Sequence, residues 1–200
     1  ICLIPVSEIQ FTHVSWFQGI NYEALSLVMP FPLFEGAKIG AAFSWFQVDE
    51  MNRTTELGAY DHSYLNSGID FDSFVTGAFS PFDYTVILGA AAPVMENLSA
   101  GFKLKLASQN IDTFSGASVS ADLGAIYAVN VYGSDLRLGA SMSHLGSALN
   151  LDSMSFDTPK LFRFGFSDAF ALFDGRFLIS AEALIQADYN SLYSIGAEYT

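Results

Sequence analysis

From Leu98 the chain alternates between apolar and small or polar residues. Leu98, Ala100, Phe102, Leu104 and Leu106 fall on one parity; Ser99, Gly101, Lys103 and Lys105 fall on the other. Successive side chains of a β-strand point to opposite faces, so this pattern predicts a strand with one oily side. The pattern recurs downstream. Val119, Ala121, Leu123, Ala125 and Tyr127 oppose Ser118, Ser120, Asp122 and Gly124. Leu136, Leu138, Ala140 and Met142 oppose Arg137, Gly139, Ser141 and Ser143. Phe162, Phe164 and Phe166 oppose Arg163, Gly165 and Ser167; Phe177, Ile179, Ala181, Ala183 and Ile185 oppose Ser180, Glu182 and Gln186. Tyr193, Ile195, Ala197 and Tyr199 oppose Ser194, Gly196 and Glu198.

Earlier segments are less regular but compatible with strands over 17–29, 37–48, 69–79 and 83–92. The expectation is about ten strands, each near the length that a tilted membrane strand requires and longer than the globular average. Turn chemistry separates them at Glu35-Gly36, Ser80-Pro81, Glu96-Asn97, Gly133-Ser134 and Asp174-Gly175. Such short connections join antiparallel neighbours. Longer polar stretches run from Asp49 to Gly68 and from Ser143 to Pro159. Short turns at one end and long loops at the other are the asymmetry of an outer-membrane barrel. No composition break divides residues 1–200, which read as one domain.

The face opposite the apolar series carries Gly40, Gly89, Gly101, Gly124, Gly139, Gly165 and Gly196. Glycine inside a strand marks a bend or a close approach, so this face is either crowded by a plug or ligand path, or tightly curved. It also carries Lys103, Lys105, Asp122, Arg137, Arg163, Glu182 and Glu198. A charge facing hydrocarbon at mid-depth costs a few kcal/mol. Mixed charges facing one another in an interior stay paired or hydrated. These seven residues are therefore the candidate lumen-lining set, as a solvated wall or as a substrate path.

Composition narrows the classes. The chain is 51% hydrophobic with 14% charged residues and 19 Phe, where soluble domains carry about 25% charged residues. No apolar stretch approaches a membrane helix of roughly 18 residues; Val86 to Met95 is interrupted by Gly89 and Pro93. An all-β core or a membrane β-barrel remains. The net charge of −13 leaves no basic footprint for nucleic acid or for anionic lipid. Cys2 is the only cysteine, so there is no disulfide scaffold. It reads as a buried thiol, with lipidation the alternative. No cationic stretch followed by a cleavage site is seen at Ile1, and the expectation is that the true start lies outside these residues.

Chemistry-bearing motifs are sparse. There is no nucleotide-binding glycine pattern, phosphate-cradling lysine loop, H-E-x-x-H or G-x-S-x-G. His13, His62 and His144 are far apart, and Asp70 and Asp72 form a D-x-D pair without the rest of a calcium loop. Enzyme is the least supported class, and no cofactor or metal is expected.

Several segments together resemble a bacterial outer-membrane family that includes PorV and PorQ and related spirochaete proteins, itself similar to the fatty-acid transporter FadL. They run from His13-Val14-Ser15-Trp16-Phe17-Gln18-Gly19-Ile20-Asn21-Tyr22, like the family's early strand, through Gly101-Phe102-Lys103-Leu104-Lys105 and Asp122-Leu123-Gly124-Ala125-Ile126-Tyr127. Pro159-Lys160-Leu161-Phe162-Arg163-Phe164-Gly165 and Gly196-Ala197-Glu198-Tyr199 continue the series. Ser143-His144-Leu145-Gly146 stands where the family has N-x-G, with His144 in place of Asn. The terminal aromatic common in such barrels is absent, so the expectation is an incomplete chain, with an N-terminal segment and closing strands outside it.

The resemblance implies an antiparallel transmembrane β-barrel in the bacterial outer membrane, part of the cell envelope and in contact with its lipid. FadL-like members transport hydrophobic molecules; PorV-like members serve type IX protein secretion by receiving exported proteins. Aromatic richness and small inward residues favour a hydrophobic passenger, whereas Asp49, Glu50, Glu56 and Asp61 offer an acidic rim for secreted or other envelope proteins. A structural or adhesive barrel and a soluble β-sandwich complete the alternatives. The sandwich requires the apolar faces to meet each other.

Overall fold

The structure is a computed structural model describing residues 6–54, 75–152, 154–187 and 189–200. Fourteen strands are described: β1 (Glu8–Ser15), β2 (Asn21–Pro30), β3 (Lys38–Gln47), β4 (Met51–Thr54), β5 (Val75–Phe79), β6 (Phe82–Met95), β7 (Leu98–Ile111), β8 (Phe114–Val131), β9 (Ser134–Gly146), β10 (Leu149–Leu151), β11 (Met154–Phe156), β12 (Leu161–Leu172), β13 (Gly175–Gln186) and β14 (Leu192–Tyr199). Ten form one sheet in the order β1-β2-β3-β6-β7-β8-β9-β12-β13-β14, every neighbouring pair antiparallel. The other four make two hairpins, β4–β5 and β10–β11. Among the described residues β1 and β14 are the two edges of this sheet, and no pairing closes it.

The alternating pattern sets the register. A slip by one residue would move every apolar side chain to the other face, and the pairing avoids this from β1 to β14. Following one ladder shows how the sheet leans: Lys38 pairs with Ala91, Ala91 with Gly101, Gly101 with Gly124, Gly124 with Ser141, Ser141 with Arg163, Arg163 with Leu184 and Leu184 with Leu192. Lys38 begins β3 beside the β2–β3 turn, whereas Leu192 begins β14 at the opposite end of the sheet. The strands are therefore staggered across its width, the stagger that a barrel wall needs.

The connections differ at the two ends. At the turn end, Glu96-Asn97, Tyr132-Gly133 and Phe173-Asp174 are two-residue turns, and residues 31–37 join β2 to β3. Tyr132 and Gly133 both have positive φ, 53° and 86°, as a type I′ hairpin requires. The loop end carries the β4–β5 and β10–β11 hairpins. The expected asymmetry is present in part: at the loop end β7 and β8 meet through the tight pair Asp112-Thr113, and β1 and β2 are joined there by residues 16–20 alone. β7 and β8, 14 and 18 residues long, reach outward to the hairpins instead.

Several boundaries differ from the sequence expectation. The 17–29 segment is not one strand. Phe17–Gly19 is a 3-10 turn with Gln18 at φ 58°, and it reverses the chain between β2 and the unanticipated β1. Two turns lie one residue earlier than expected, at Tyr132-Gly133 and Phe173-Asp174, with Ser134 and Gly175 already in strands. Ser143 to Gly146 belongs to β9, and the stretch after it folds into β10–β11. Of the 69–79 segment, Val75–Phe79 is strand β5 and the rest lies outside the described residues.

The two faces have unequal surroundings. Leu88, Phe102, Leu104, Leu123 and Phe164, all on the apolar parity, are each 50–57% exposed. Fully burying such a side chain is worth about 1.5–3 kcal/mol, of which roughly half is unrealised here. The buried side chains are Ala37, Lys38, Ser120, Asp122 and Ala169, and the strand residues among them all face the polar side. Among the described residues no large hydrophobic side chain is fully buried, and the apolar rows meet no second layer.

Candidate functional site

The polar face of β6 to β14 curls around a concavity of about 920 Å³. Its floor is made of residues without long side chains: Gly101, Gly124, Gly139 and Gly165 lie there with Ser141, Ser167, Ser180 and Ser194. Curvature accounts for part of the glycine series. A Cβ on Gly101 would stand 2.9 Å from the Cβ of Ala91, and one on Gly196 would stand 2.9 Å from Ser180 Oγ. Directly opposed Cβ atoms in an ordinary sheet are about 4.5–5.5 Å apart, so neighbouring strands converge on this side. At Gly139 the nearest atom would be 4.0 Å away. There the glycine keeps space open.

All seven charged residues expected to line an interior fall on this one face. Lys103, Asp122, Arg137, Arg163 and Glu182 border the large concavity. Glu198 borders a second concavity of about 280 Å³ towards the turn end, together with Arg137, Asp135 and Arg176. Lys105 sits one pleat from Lys103 and borders neither, but its charge acts on Asp122. Cross-strand neighbours pair these groups: Lys103 Nζ lies 3.0 Å from Asp122 Oδ2, and Arg163 Nε lies 3.2 Å from Glu182 Oε1. Arg176 pairs with Asp135. Arg137 has no ion pair among the described residues.

Asp122 is the best-enclosed of the set, 7% exposed. It stands opposite a bulge in β9. Ala121 pairs with Leu145 and Leu123 with Met142, so Ser143 and His144 together face Asp122. His144 has φ 63°, a left-handed conformation that Asn, Asp and His tolerate better than other L residues. Its backbone N–H, turned out of the ladder, donates to Asp122 Oδ1 at 2.8 Å. Its ring Nδ1 lies 3.0 Å from the carbonyl of Pro159, which can only accept, so Nδ1 carries the proton. The sequence pattern placed Asp122 inward, and the one trace of this bulge in the sequence is a change of parity: the apolar positions of β9 are even through Met142 and odd at Leu145.

At the loop end the β4–β5 hairpin is tied to the β7–β8 turn. Arg53 Nε donates to Asp112 Oδ2 at 2.8 Å, and Arg53 NH2 bonds the other carboxylate oxygen. This hydrogen bonding, with the charge of Asp112, holds the Arg53 guanidinium above its ordinary pKa. Nearby, the backbone of β10 packs against β8: a Cβ on Gly116 would stand 2.3 Å from the Asn150 carbonyl oxygen. On the apolar parity near the same end, Trp45 stacks on Phe82 and Tyr84 with ring centroids 4.9 and 6.4 Å away.

His13 pairs with Glu23 at 2.6 Å, also on the apolar parity and remote from His144. Cys2, Glu56, Asp61, His62, Asp70 and Asp72 lie outside the described residues. Among the described residues no three His, Cys, Asp or Glu side chains are grouped as metal ligands. No protein-family model matches the chain, and no curated protein or solved structure was found similar to it.

Proposed function

We propose that this chain forms the wall of a FadL-like β-barrel in the bacterial outer membrane, and that its concave face borders a path for hydrophobic molecules. One observation carries the reading. The large apolar side chains are exposed on the outer face, while the enclosed residues of the other face include Lys38, Ser120 and Asp122. Water-soluble sheets have the reverse arrangement, because apolar burial drives their folding. A lipid environment removes the conflict by covering the Leu and Phe rows with acyl chains. The staggered ladder, the unequal ends and the stacked aromatics near the loop end fit the same setting. So does His144, whose left-handed backbone is a conformation that the Asn of the resembled N-x-G segment also adopts readily. In lipid every strand edge must be paired. β1 and β14 run in opposite directions, as their places in a ten-stranded up-and-down order dictate, so they are able to pair antiparallel with each other or with further strands.

The test is direct. The protein should require detergent for solubility, show heat-modifiable gel mobility, and carry an apolar compound identifiable by mass spectrometry of its extract. Solubility without detergent would refute the membrane wall; a wall with no co-purified or exchangeable apolar ligand would refute transport. A PorV-like or scaffold role is the second reading, favoured by the loop-end rim where the Arg53–Asp112 pair ties the β4–β5 hairpin beside exposed Asp49 and Glu50. It requires a stoichiometric secreted or envelope protein in pull-downs.

A further inference from the structure

We propose that His13, Ser15 and Glu23 form a hydrolytic site for acyl esters of the surrounding lipid, with Ser15 as nucleophile, His13 as base and Glu23 as the residue that positions the base. The proposal rests on the apolar face being turned to lipid, but not on the concave face being a path.

The three residues meet on the apolar parity at the loop end. His13 and Ser15 are two positions apart on β1, so they share a face, and the register sets Glu23 opposite His13 and Asn21 opposite Ser15. His13 Nδ1 lies 2.6 Å from Glu23 Oε1. A carboxylate only accepts, so Nδ1 carries the proton and Nε2 keeps its lone pair. That is the tautomer a general base needs, and a carboxylate behind the ring also stabilises the imidazolium that forms on proton transfer. The second oxygen of Glu23, Oε2, is enclosed and has no hydrogen-bond partner among the described residues, so the ring is the group on which this carboxylate acts. His13 and Ser15 are both exposed. Two positions along a strand separate their Cα atoms by about 6.6 Å. The side chains close that gap by rotamer choice, and nucleophile–base contacts often tighten only when substrate binds.

The setting selects the substrate. An ionisable pair on a face of exposed Phe and Leu costs stability, which points to function. Trp45 is the cross-strand partner of Glu23 and stacks on Phe82 and Tyr84. Aromatic rings collect where acyl chains give way to headgroups, the zone that holds the ester groups of a membrane lipid. One row nearer the turn end, Phe11, Leu25 and Phe43 are successive cross-strand neighbours, 67, 46 and 43% exposed, and form an apolar track for the acyl chain. Asn21 Nδ2 donates one hydrogen to the Gly19 carbonyl at 3.1 Å, which leaves its other hydrogen for an ester oxyanion beside Ser15.

Ser15 Oγ attacks the ester carbonyl carbon as its proton passes to His13 Nε2. The carbon–alkoxy bond then breaks, the leaving alcohol takes that proton, and the acyl group stays on Ser15. Water, deprotonated by His13, attacks the acyl-serine, and the carboxylic acid departs as the proton returns to Ser15 Oγ.

The experiment uses the full chain in nonionic mixed micelles, with empty micelles as the blank. A hexadecyl fluorophosphonate, which loses fluoride to an activated serine, is located by peptide mass spectrometry, and palmitate release from dipalmitoyl phosphatidylethanolamine is followed in parallel. The expected result is a label on Ser15 and palmitate release above the blank. Ser15→Ala and His13→Ala should each lower kcat about 10³-fold or more. Glu23→Gln should lower kcat about 10²- to 10⁴-fold with KM unchanged, and Glu23→Asp should recover part of the loss, a split that a merely structural pair would not produce. Heat-modifiable mobility shows that each variant has folded. A folded, detergent-requiring protein that takes no label on Ser15, or palmitate release that survives Ser15→Ala, would overturn the proposal while leaving the membrane wall intact. A protein soluble without detergent would overturn the wall and the proposal with it.

Discussion

Replacing Asp122 by alanine removes a carboxylate that two strands share. In the folded protein it accepts the His144 backbone N–H at 2.8 Å and the Lys103 ammonium at 3.0 Å. It is itself 7% exposed. Without it the N–H, already turned away from the β8–β9 ladder, has no partner, and leaving a buried donor unsatisfied costs about 1–3 kcal/mol. The ion pair adds less. The Lys103 side chain is 44% exposed and can rehydrate, so about 1 kcal/mol is the appropriate scale. The expected loss is therefore about 2–4 kcal/mol. Asp122→Asn keeps an acceptor oxygen for His144 and loses only the charge, for about 1 kcal/mol or less. Reversible urea unfolding in lipid vesicles, followed by tryptophan emission, measures both. The ordering matters more than either value: Ala far worse than Asn means that the bulge depends on the hydrogen bond. An Asp122→Ala variant within about 0.5 kcal/mol of the parent, the usual range for a surface substitution, would show that Asp122 does not hold the bulge.

Three further outcomes follow from the same geometry. Leu104→Arg, on the exposed apolar face, should cost about 2–4 kcal/mol in vesicles if that face meets lipid at mid-depth; Lys105→Leu, one residue on and facing the other way, should not reproduce the loss, and equal effects would refute the sidedness. Gly101→Val should be destabilised by about 1–3 kcal/mol, because its Cβ meets that of Ala91 at 2.9 Å, whereas Gly139→Ala should fold normally by gel mobility; the reverse order would contradict the curvature. His144→Val should lose about 1–2 kcal/mol from its left-handed backbone, while His144→Asn stays close to the parent in the same urea titration.

Much of this architecture is legible residue by residue. Period two in Leu98–Leu106 or Val119–Tyr127 is enough to assign strands and their oily sides, because a strand's side-chain direction is a local property. The seven charged candidates could be placed on one face for the same reason. Their pairing could not. Lys103 and Asp122 are 19 positions apart and meet only because the β7–β8 register sets them opposite; a different turn length would have matched Lys103 with another residue. Arg137 is indistinguishable in sequence from Arg163, yet only Arg163 has a carboxylate on the adjoining strand within reach. β1 escaped notice because its alternation is broken by His13 on the apolar parity and Val14 on the polar one, and the reversal at Phe17–Gly19 contains no Pro-Gly or Asn-Gly turn pair.

Alternation by itself determined that this chain is an antiparallel β protein with an apolar face and a polar, glycine-bearing face, since both properties follow from the two-residue repeat of a strand. Tertiary structure decided the stagger across the sheet, the bulge at Asp122, which charges neutralise one another, and which guanidinium is left without a partner. Those depend on distances between strands far apart in the chain, and such distances are set by register and curvature rather than by any neighbouring residue.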